Sequence, residues 1–382
     1  MKKVLIMIDT SRATGRELLL GVERYISAFT DWQINTLSPD YLSDNKKSEP
    51  AKVELNDFDG LFVCQTVNIA RILKVRIPKV IHYTPKEIIP KVSLIKTDSE
   101  KIGAMAADYF ASLGFKNFAY CGFKNITWSN ERLASYEHAL KKLGFDLVNR
   151  YINTPTGNRE ADRGRLVRWL SKLTTPSAVL ACNDDRAVYI LEACRACGLN
   201  VPEDIAVLGV DNDRLVCNLS SPPLSSIAMN FSSAGFEAAR HLDKLMTKKA
   251  EDITIEVTPS GIVTRKSTDI FAVEDKEVIA ALVYIRNNYL KPIQVSDVIK
   301  ATTVSRRELE YRFRRELSLT IKEQIEKLRI ENIKRMLLNS REPIYKIADE
   351  LSFTDPEHFS RYFRNQTGIS PSKFRQNTTP LT

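Results

Sequence analysis

Val304-Ser-Arg-Arg-Glu-Leu-Glu-Tyr-Arg-Phe-Arg-Arg-Glu316 is the stretch from which the rest of the chain can be read. Ser305 is a good helix N-cap, and Glu308 three residues later predicts a capping box. Leu309 and Phe313 lie four apart and share one face, so they anchor the helix in a small core. Arg306, Arg307, Arg312, Arg314 and Arg315 crowd the remaining surface over about three turns. One apolar seam beneath an arginine-rich face suits a major groove, where guanidinium groups read guanine edges and neutralise phosphates. The same residues also describe a solvated surface helix with intrahelical ion pairs. The surroundings decide between the two.

Working outward, Val295–Lys300 and Ser305–Leu317 make a helix-turn-helix candidate with a short connection. An amphipathic helix, Val278–Tyr289, precedes it. A long helix follows, Ile321–Leu338, about 27 Å from end to end. The arrangement then recurs as Ile344–Glu350, a turn through Leu351-Ser-Phe-Thr-Asp355, and Pro356–Gln366, where Phe359 and Phe363 repeat the spacing of Leu309 and Phe313. Pro356 suits a first helical turn. Two such units joined by one helix present their second helices to successive major grooves, about 34 Å apart on one face of DNA.

These residues resemble the AraC-type DNA-binding domain. The matching elements include Leu328-Arg-Ile-Glu331, Ile347-Ala348, Phe359-Ser-Arg-Tyr-Phe-Arg364 and the closing Gly368-Ile-Ser-Pro371…Phe374-Arg375. The resemblance implies base contacts from Arg307, Glu310 and Tyr311 in the first recognition helix, with Arg306 and Arg314 placed for phosphates. In the second it implies Glu357, His358 and Arg361. Ser305 and Arg364 complete the expected DNA-contact set. Two positions depart from the pattern: Ser352 stands at a turn position usually held by glycine, and Ile333 where alanine is usual. Serine in a left-handed turn costs about 1 kcal/mol.

Ahead of this region, strand and helix signals alternate over some 265 residues. Val4–Ile8, Trp32–Leu37, Leu61–Cys64, Lys79–His82, Phe118–Tyr120, Ala178–Ala181 and Ile205–Val210 read as strands. Arg16–Phe29, Ser99–Leu113, Asn130–Leu143 and Asp184–Cys197 read as helices, the last three stopped by Gly114, Gly144 and Gly198. About ten strands separated by helices predict two parallel α/β sheets rather than one. Ligands of such sheets bind beyond the carboxyl ends of the strands. The polar residues there are Asp9, Ser11 and Arg12, Asp98, Trp128 and Arg132, Asn183 and Asp184, and Asp211 and Asn212. Carboxylates, an amide, an arginine and an indole suit a sugar, whose hydroxyls both donate and accept and whose C–H face lies on a ring. Each residue alone also has a structural reading, Asp98, Asn183 and Asp184 as helix caps. Recurrence at successive strand ends favours a site.

Ala178-Val-Leu-Ala-Cys-Asn-Asp-Asp-Arg-Ala187, with Cys197-Gly-Leu-Asn-Val-Pro-Glu-Asp-Ile-Ala-Val-Leu-Gly-Val-Asp-Asn212, is similar to the effector domain of LacI-type repressors, which is related to periplasmic sugar-binding proteins. The resemblance implies an effector pocket using Asp98, Arg132, Asn183 and Asp211. LacI-type proteins carry a DNA-binding headpiece ahead of this domain, whereas here the first strand begins at the start of the sequence. The reader is therefore expected at the other end.

The whole composition agrees. Of 382 residues 43% are hydrophobic and 27% charged, with a net charge of +9. Residues 274–382 hold about +5 of that, a moderately basic tail domain. The apolar run at the N-terminus is short for a signal peptide, and no stretch approaches the ~20 apolar residues of a membrane span. A cytoplasmic protein without membrane contact is expected. The six cysteines are too sparse for a disulfide scaffold. Cys194 and Cys197 lie within a helical pattern and read as packed thiols, and no cofactor or metal is expected. The first strand–helix turn, Asp9-Thr-Ser-Arg-Ala-Thr-Gly15, lacks the GxGxxG fingerprint, and His82, His138, His241 and His358 are scattered. An α/β enzyme and a solute-binding protein for transport are thereby disfavoured.

The expected organisation is a two-subdomain sensor of periplasmic-binding-protein type over 1–268, a linker at 269–277, and an all-α tandem helix-turn-helix domain over 278–382. A LacI-like sensor ahead of an AraC-type reader resembles a family of pentose-operon regulators, through Ser11-Arg12…Gly15-Arg16, Trp128…Glu131-Arg132 and Tyr284-Ile-Arg-Asn287. That resemblance implies a pentose effector, D-xylose first, bound between the two subdomains of a homodimer. It also implies direct-repeat half-sites in double-stranded DNA and activation through RNA polymerase.

Overall fold

The computed structural model describes residues 1–36, 54–64, 69–85, 89, 92–154, 158–339 and 342–378. Leu37, the end of one expected strand, lies outside them. Along the chain come β1 (Lys3–Met7), α1 (Ala13–Phe29), β2 (Gln33–Thr36), β3 (Gly60–Cys64), α2 (Ile69–Lys74), β4 (Lys79–His82) and β5 (Ser93–Thr97). Next are α3 (Ser99–Ser112), β6 (Asn117–Phe123), α4 (Thr127–Lys142), β7 (Leu147–Asn153), α5 (Arg159–Leu170), β8 (Ser177–Ala181) and α6 (Asp184–Ala196). The α/β part closes with β9 (Ile205–Asp211), α7 (Arg214–Leu219), β10 (Ser225–Met229), α8 (Phe231–Met246), β11 (Thr254–Val257) and β12 (Pro259–Val263).

These strands form two six-stranded sheets, in orders β11-β5-β4-β3-β1-β2 and β12-β10-β9-β8-β6-β7. The first is wholly parallel; in the second only β12 runs antiparallel, against β10. Burial on both faces explains the unbroken apolar runs: Val4 to Met7 are all buried, as are Ala178 to Cys182. The chain divides into two compact units: Met1–Asp98 with Asn230–Thr258, and Ser99–Met229 with Pro259–Thr382.

In the first unit, α1 and α8 pack backbone to backbone. A β-carbon on Gly21 would lie 1.9 Å from the Ser232 carbonyl oxygen, and one on Gly235 would lie 2.1 Å from that of Leu18. Glycine is therefore required at both points of this crossing.

The second unit joins the other sheet to the C-terminal helices: α9 (Lys276–Asn288), α10 (Val295–Lys300), α11 (Arg306–Leu317), α12 (Ile321–Asn339), α13 (Ile344–Glu350), α14 (Pro356–Thr367) and α15 (Pro371–Thr378). Two small cores hold them. Leu309 and Phe313 of α11 pack with α9 and with Ile321 and Ile325 at the start of α12. Phe359 and Phe363 of α14 pack with α13 and with Ile333 and Leu337 further along α12. One helix thus spans both cores. Ile333 is fully buried there.

Residues 270–273, within the expected linker, form a strap with an alternating pattern. Ile270 and Ala272 pack against the core of the α/β sheet, whereas Phe271 and Val273 pack into the α9–α11 core. The Ala272 amide donates to the Leu113 carbonyl at 2.7 Å, and Arg286 lies over the Phe271 ring, 4.9 Å from its centroid. Lys327 of α12 donates to the Asp108 carbonyl at 3.0 Å, adding a second tie.

Candidate functional site

In the second unit, the carboxyl ends of β6, β8 and β9 converge on one polar cluster. α4 starts at Thr127, three residues before the sequence pattern predicts, so Trp128 and Arg132 stand one turn apart on the same helix. The Arg132 guanidinium lies 4.9 Å from the Trp128 ring centroid. Arg132 is only 3% exposed; it donates to the carbonyl of Cys182, just beyond β8, and its Nη2 is 3.5 Å from Asp211 Oδ1. That oxygen is buried and accepts no hydrogen bond within the protein. Burial outweighs the nearby guanidinium and lifts the Asp211 carboxyl to about 6. Its backbone has φ +104°, and Asn212 follows at +52°. Consecutive left-handed conformations at non-glycine residues are strained and concentrate at binding and catalytic sites.

Asn183 and Asp184 each carry a structural role. Asn183 caps α6, its side-chain oxygen accepting from the Arg186 amide at 3.0 Å. Asp184 is buried, accepting from the Asp213 amide at 2.7 Å and the Ser226 hydroxyl at 2.5 Å. It anchors the loop that follows β9. Burial, with Asp211 adding repulsion, pushes its carboxyl up to about 8. Arg265 braces the same loop, donating to the Asn212 side-chain oxygen at 3.0 Å and the Leu224 carbonyl at 2.9 Å.

Ser11, Arg12 and Asp98 belong to the first unit. Ser11 and Arg12 are exposed beyond β1; the Ser11 amide donates to Asp9 Oδ1 at 2.8 Å, and Arg12 stands at the N-cap position of α1. Asp98 follows β5, its amide paired with the Val257 carbonyl at 3.0 Å.

Sequence reasoning missed Phe123 and Arg186. Arg186 is 2% exposed and lies over the rings of Phe123 and Tyr151, at 5.1 and 5.3 Å. Phe123 in turn meets Trp128 edge-on, centroids 6.2 Å apart. The available signal was an arginine in the first turn of a helix that starts at a strand's carboxyl end.

On the helical part, Ser305 caps α11 by accepting from the Glu308 amide at 3.3 Å. The expected capping box is half formed, because the Glu308 carboxylate accepts instead from Arg312 at 2.7 Å. Arg312 and Arg315 also reach Asp275, the N-cap of α9, at 3.4 and 3.6 Å. They hold α11 in place. Arg306, Arg307, Glu310, Tyr311 and Arg314 remain exposed along the outer face, with Arg306 and Glu310 paired at 2.9 Å. On α14, Glu357, His358, Arg361 and Arg364 are exposed, and Asp355 caps the helix by accepting from the His358 amide at 2.6 Å. Both helices thus bury one apolar seam and leave these polar and charged side chains exposed.

Cys194 is buried within α6, burial pushing its thiol up to about 12, and Cys197 Sγ donates to the Cys194 carbonyl at 3.5 Å. Among the described residues no helix is long and apolar enough to cross a membrane.

Residues 107–268 match the model of a periplasmic binding protein-like domain, and residues 298–377 that of a helix-turn-helix domain. The xylose operon regulatory protein of Escherichia coli (strain K12) is 28% identical over 98% of this chain and 96% of its own. That of Haemophilus influenzae is 26% identical over 98% of each. A solved structure of the xylose-binding transcription activator XylR superposes with a TM-score of 0.60 at 26% identity, covering 99% of this chain and 98% of that one. The likeness to these relatives runs from end to end. The chain is a DNA-binding transcriptional regulator, with an α/β sensor ahead of a tandem helix-turn-helix reader.

Proposed function

We propose that this regulator senses a pentose, D-xylose first, and activates pentose catabolic genes. The carrying observation is the cluster of Trp128, Arg132 and Asp211. It offers an indole face, a guanidinium and a buried carboxylate oxygen without a hydrogen bond, a set matched to a sugar's C–H face and hydroxyls. The xylose named for the relatives points the same way. Asp98, Ser11, Arg12 and Asn183 are the further effector contacts in this reading, and Asp184 holds the loop that follows Asp211.

The target is double-stranded DNA with two direct-repeat half-sites per protomer pair. Arg307, Glu310 and Tyr311 of α11 and Glu357, His358 and Arg361 of α14 read bases. Ser305, Arg306, Arg314 and Arg364 hold phosphates. The length of α12, about 28 Å, is of the order of the spacing of successive major grooves, which supports this reading. The protein works as a homodimer in the cytoplasm and recruits RNA polymerase. Sugar shifts the equilibrium only if it binds the DNA-competent state more tightly.

Calorimetric titration of D-xylose, arabinose, ribose and glucose against the purified protein tests the effector. A mobility-shift assay with and without the binding sugar, at two salt concentrations, tests the switch. The reading predicts heat from a pentose and tighter DNA binding in its presence. Silence from every pentose refutes the effector assignment.

A further inference from the structure

Arg186 is a buried guanidinium without a counter-charge: among the described residues no carboxylate pairs with it. Its Nε donates to Cys121 Sγ of β6 at 3.2 Å, and an Nη donates to the Asn153 side-chain oxygen at the end of β7. The guanidinium carbon lies over two rings, 5.1 Å from the Phe123 centroid and 5.3 Å from that of Tyr151. Burying a charge on neutral partners is expensive, and well-packed apolar replacements of buried charges are often neutral or stabilising. Packing alone therefore does not account for an arginine here.

Its neighbours do. From Tyr151 the contacts run in file through Arg186 and Phe123 to Trp128, and on through Arg132 to Asp211. Each ring is held by a cation or another ring, and the file ends on the cluster assigned above to the effector. We propose that Arg186 is a positioning residue for the effector site: it fixes Phe123, and through Phe123 the tilt of the Trp128 indole on which the ligand lies. This rests on the pentose reading, which the test below separates from it.

The full-length chain carrying Arg186→Met is compared with wild type in three measurements: pentose affinity by calorimetry, thermal unfolding, and acrylamide quenching of Trp128 without ligand. Trp128→Phe identifies that indole's share of the signal. The inference predicts at least about tenfold weaker pentose binding, an unfolding midpoint unchanged or raised, and stronger quenching of Trp128. Arg186→Lys should recover little, because an ammonium lacks the planar face that stacks on rings. Phe123→Leu, which cuts the next link, should reproduce the loss. A midpoint that falls together with affinity would make Arg186 a plain structural residue and overturn the inference. So would unchanged affinity in Arg186→Met when wild type binds. If wild type binds no pentose, the effector reading fails, and the ligand-free quenching still judges the stack: no change in Trp128 overturns it.

Discussion

Arg132 Nη2 and Asp211 Oδ1 stand 3.5 Å apart, joining the helix after β6 to the carboxyl end of β9. The pair is close enough for charge attraction while the aspartate oxygen keeps its hydrogen-bonding capacity, which is how an acceptor is held ready for a hydroxyl. Truncating one partner of such a pair costs about 2–5 kcal/mol at an interface. Arg132→Met should therefore lose pentose binding by at least about thirtyfold, a ~2 kcal/mol effect. Calorimetry measures it, and sugar-free DNA affinity should stay at the wild-type value.

Asp184 sets a pH dependence of opposite sign to that of a salt-bridged carboxylate. Its carboxyl is raised to about 8 in the fold, against about 4 in an unfolded chain. Between those values the folded state holds a proton that the unfolded state has released, so stability falls as pH rises from about 4 to about 8 and is flat above. Asp211, raised to about 6, adds to the lower half of that window. Asp184→Asn, which mimics the neutral acid, should flatten the slope between about pH 6 and 8. Thermal unfolding across the pH series measures it.

Ser352 has φ +56° in the turn between α13 and α14. Glycine accepts that conformation without the penalty a β-carbon brings, about 1 kcal/mol. Ser352→Gly should stabilise the second helix-turn-helix unit by that amount. Hydrogen exchange of α13 and α14 amides would slow roughly fivefold, while α10 and α11 stay as they are.

Arg307 and Arg314 lie on the same exposed face of α11 but are assigned different targets. Arg307→Ala should relax base preference at one position at a cost of about 1–3 kcal/mol. Arg314→Ala should weaken binding to all sequences and lower the salt slope by about one. Indistinguishable behaviour of the two variants on matched and mismatched sites refutes the division of roles.

Gly114 closes α3 at φ +88°, and a β-carbon there would lie 2.5 Å from Val273 Cγ2. Gly114→Ala combines a left-handed penalty of about 1–2 kcal/mol with overpacking of about 1–3 kcal/mol. It should lower the unfolding midpoint, and Val273→Ala in the same chain should recover part of the loss.

Much of this was legible in the chain. Burial on both faces writes parallel strands as unbroken apolar runs, so two α/β sheets and the seams Leu309/Phe313 and Phe359/Phe363 follow from residue spacing. What failed was side-chain assignment where one residue has two partners within reach. Glu308 was expected to complete a capping box, but Arg312, four residues on, takes its carboxylate. For Asn183 and Asp184 the sequence left a ligand role and a structural role side by side, and the structure shows the structural one, a helix cap and a loop anchor. Arg186 was passed over although it stands in the first turn of α6, because the rings that make its environment come from two other strands. The acidic flanks of the strap, Asp269 and Glu274-Asp275, read as a linker. Only the two cores on either side show why Ile270-Phe-Ala-Val273 alternates.

That alternation gives the boundary between sensor and reader a width instead of a location. A chain severed after Asp269 would deprive the sensor of Ile270 and Ala272; one severed after Glu277 would leave Phe271 and Val273 outside the reader they complete. No single junction yields both modules intact. Grafting this reader onto a foreign sensor therefore requires a strap whose odd and even residues come from different parents.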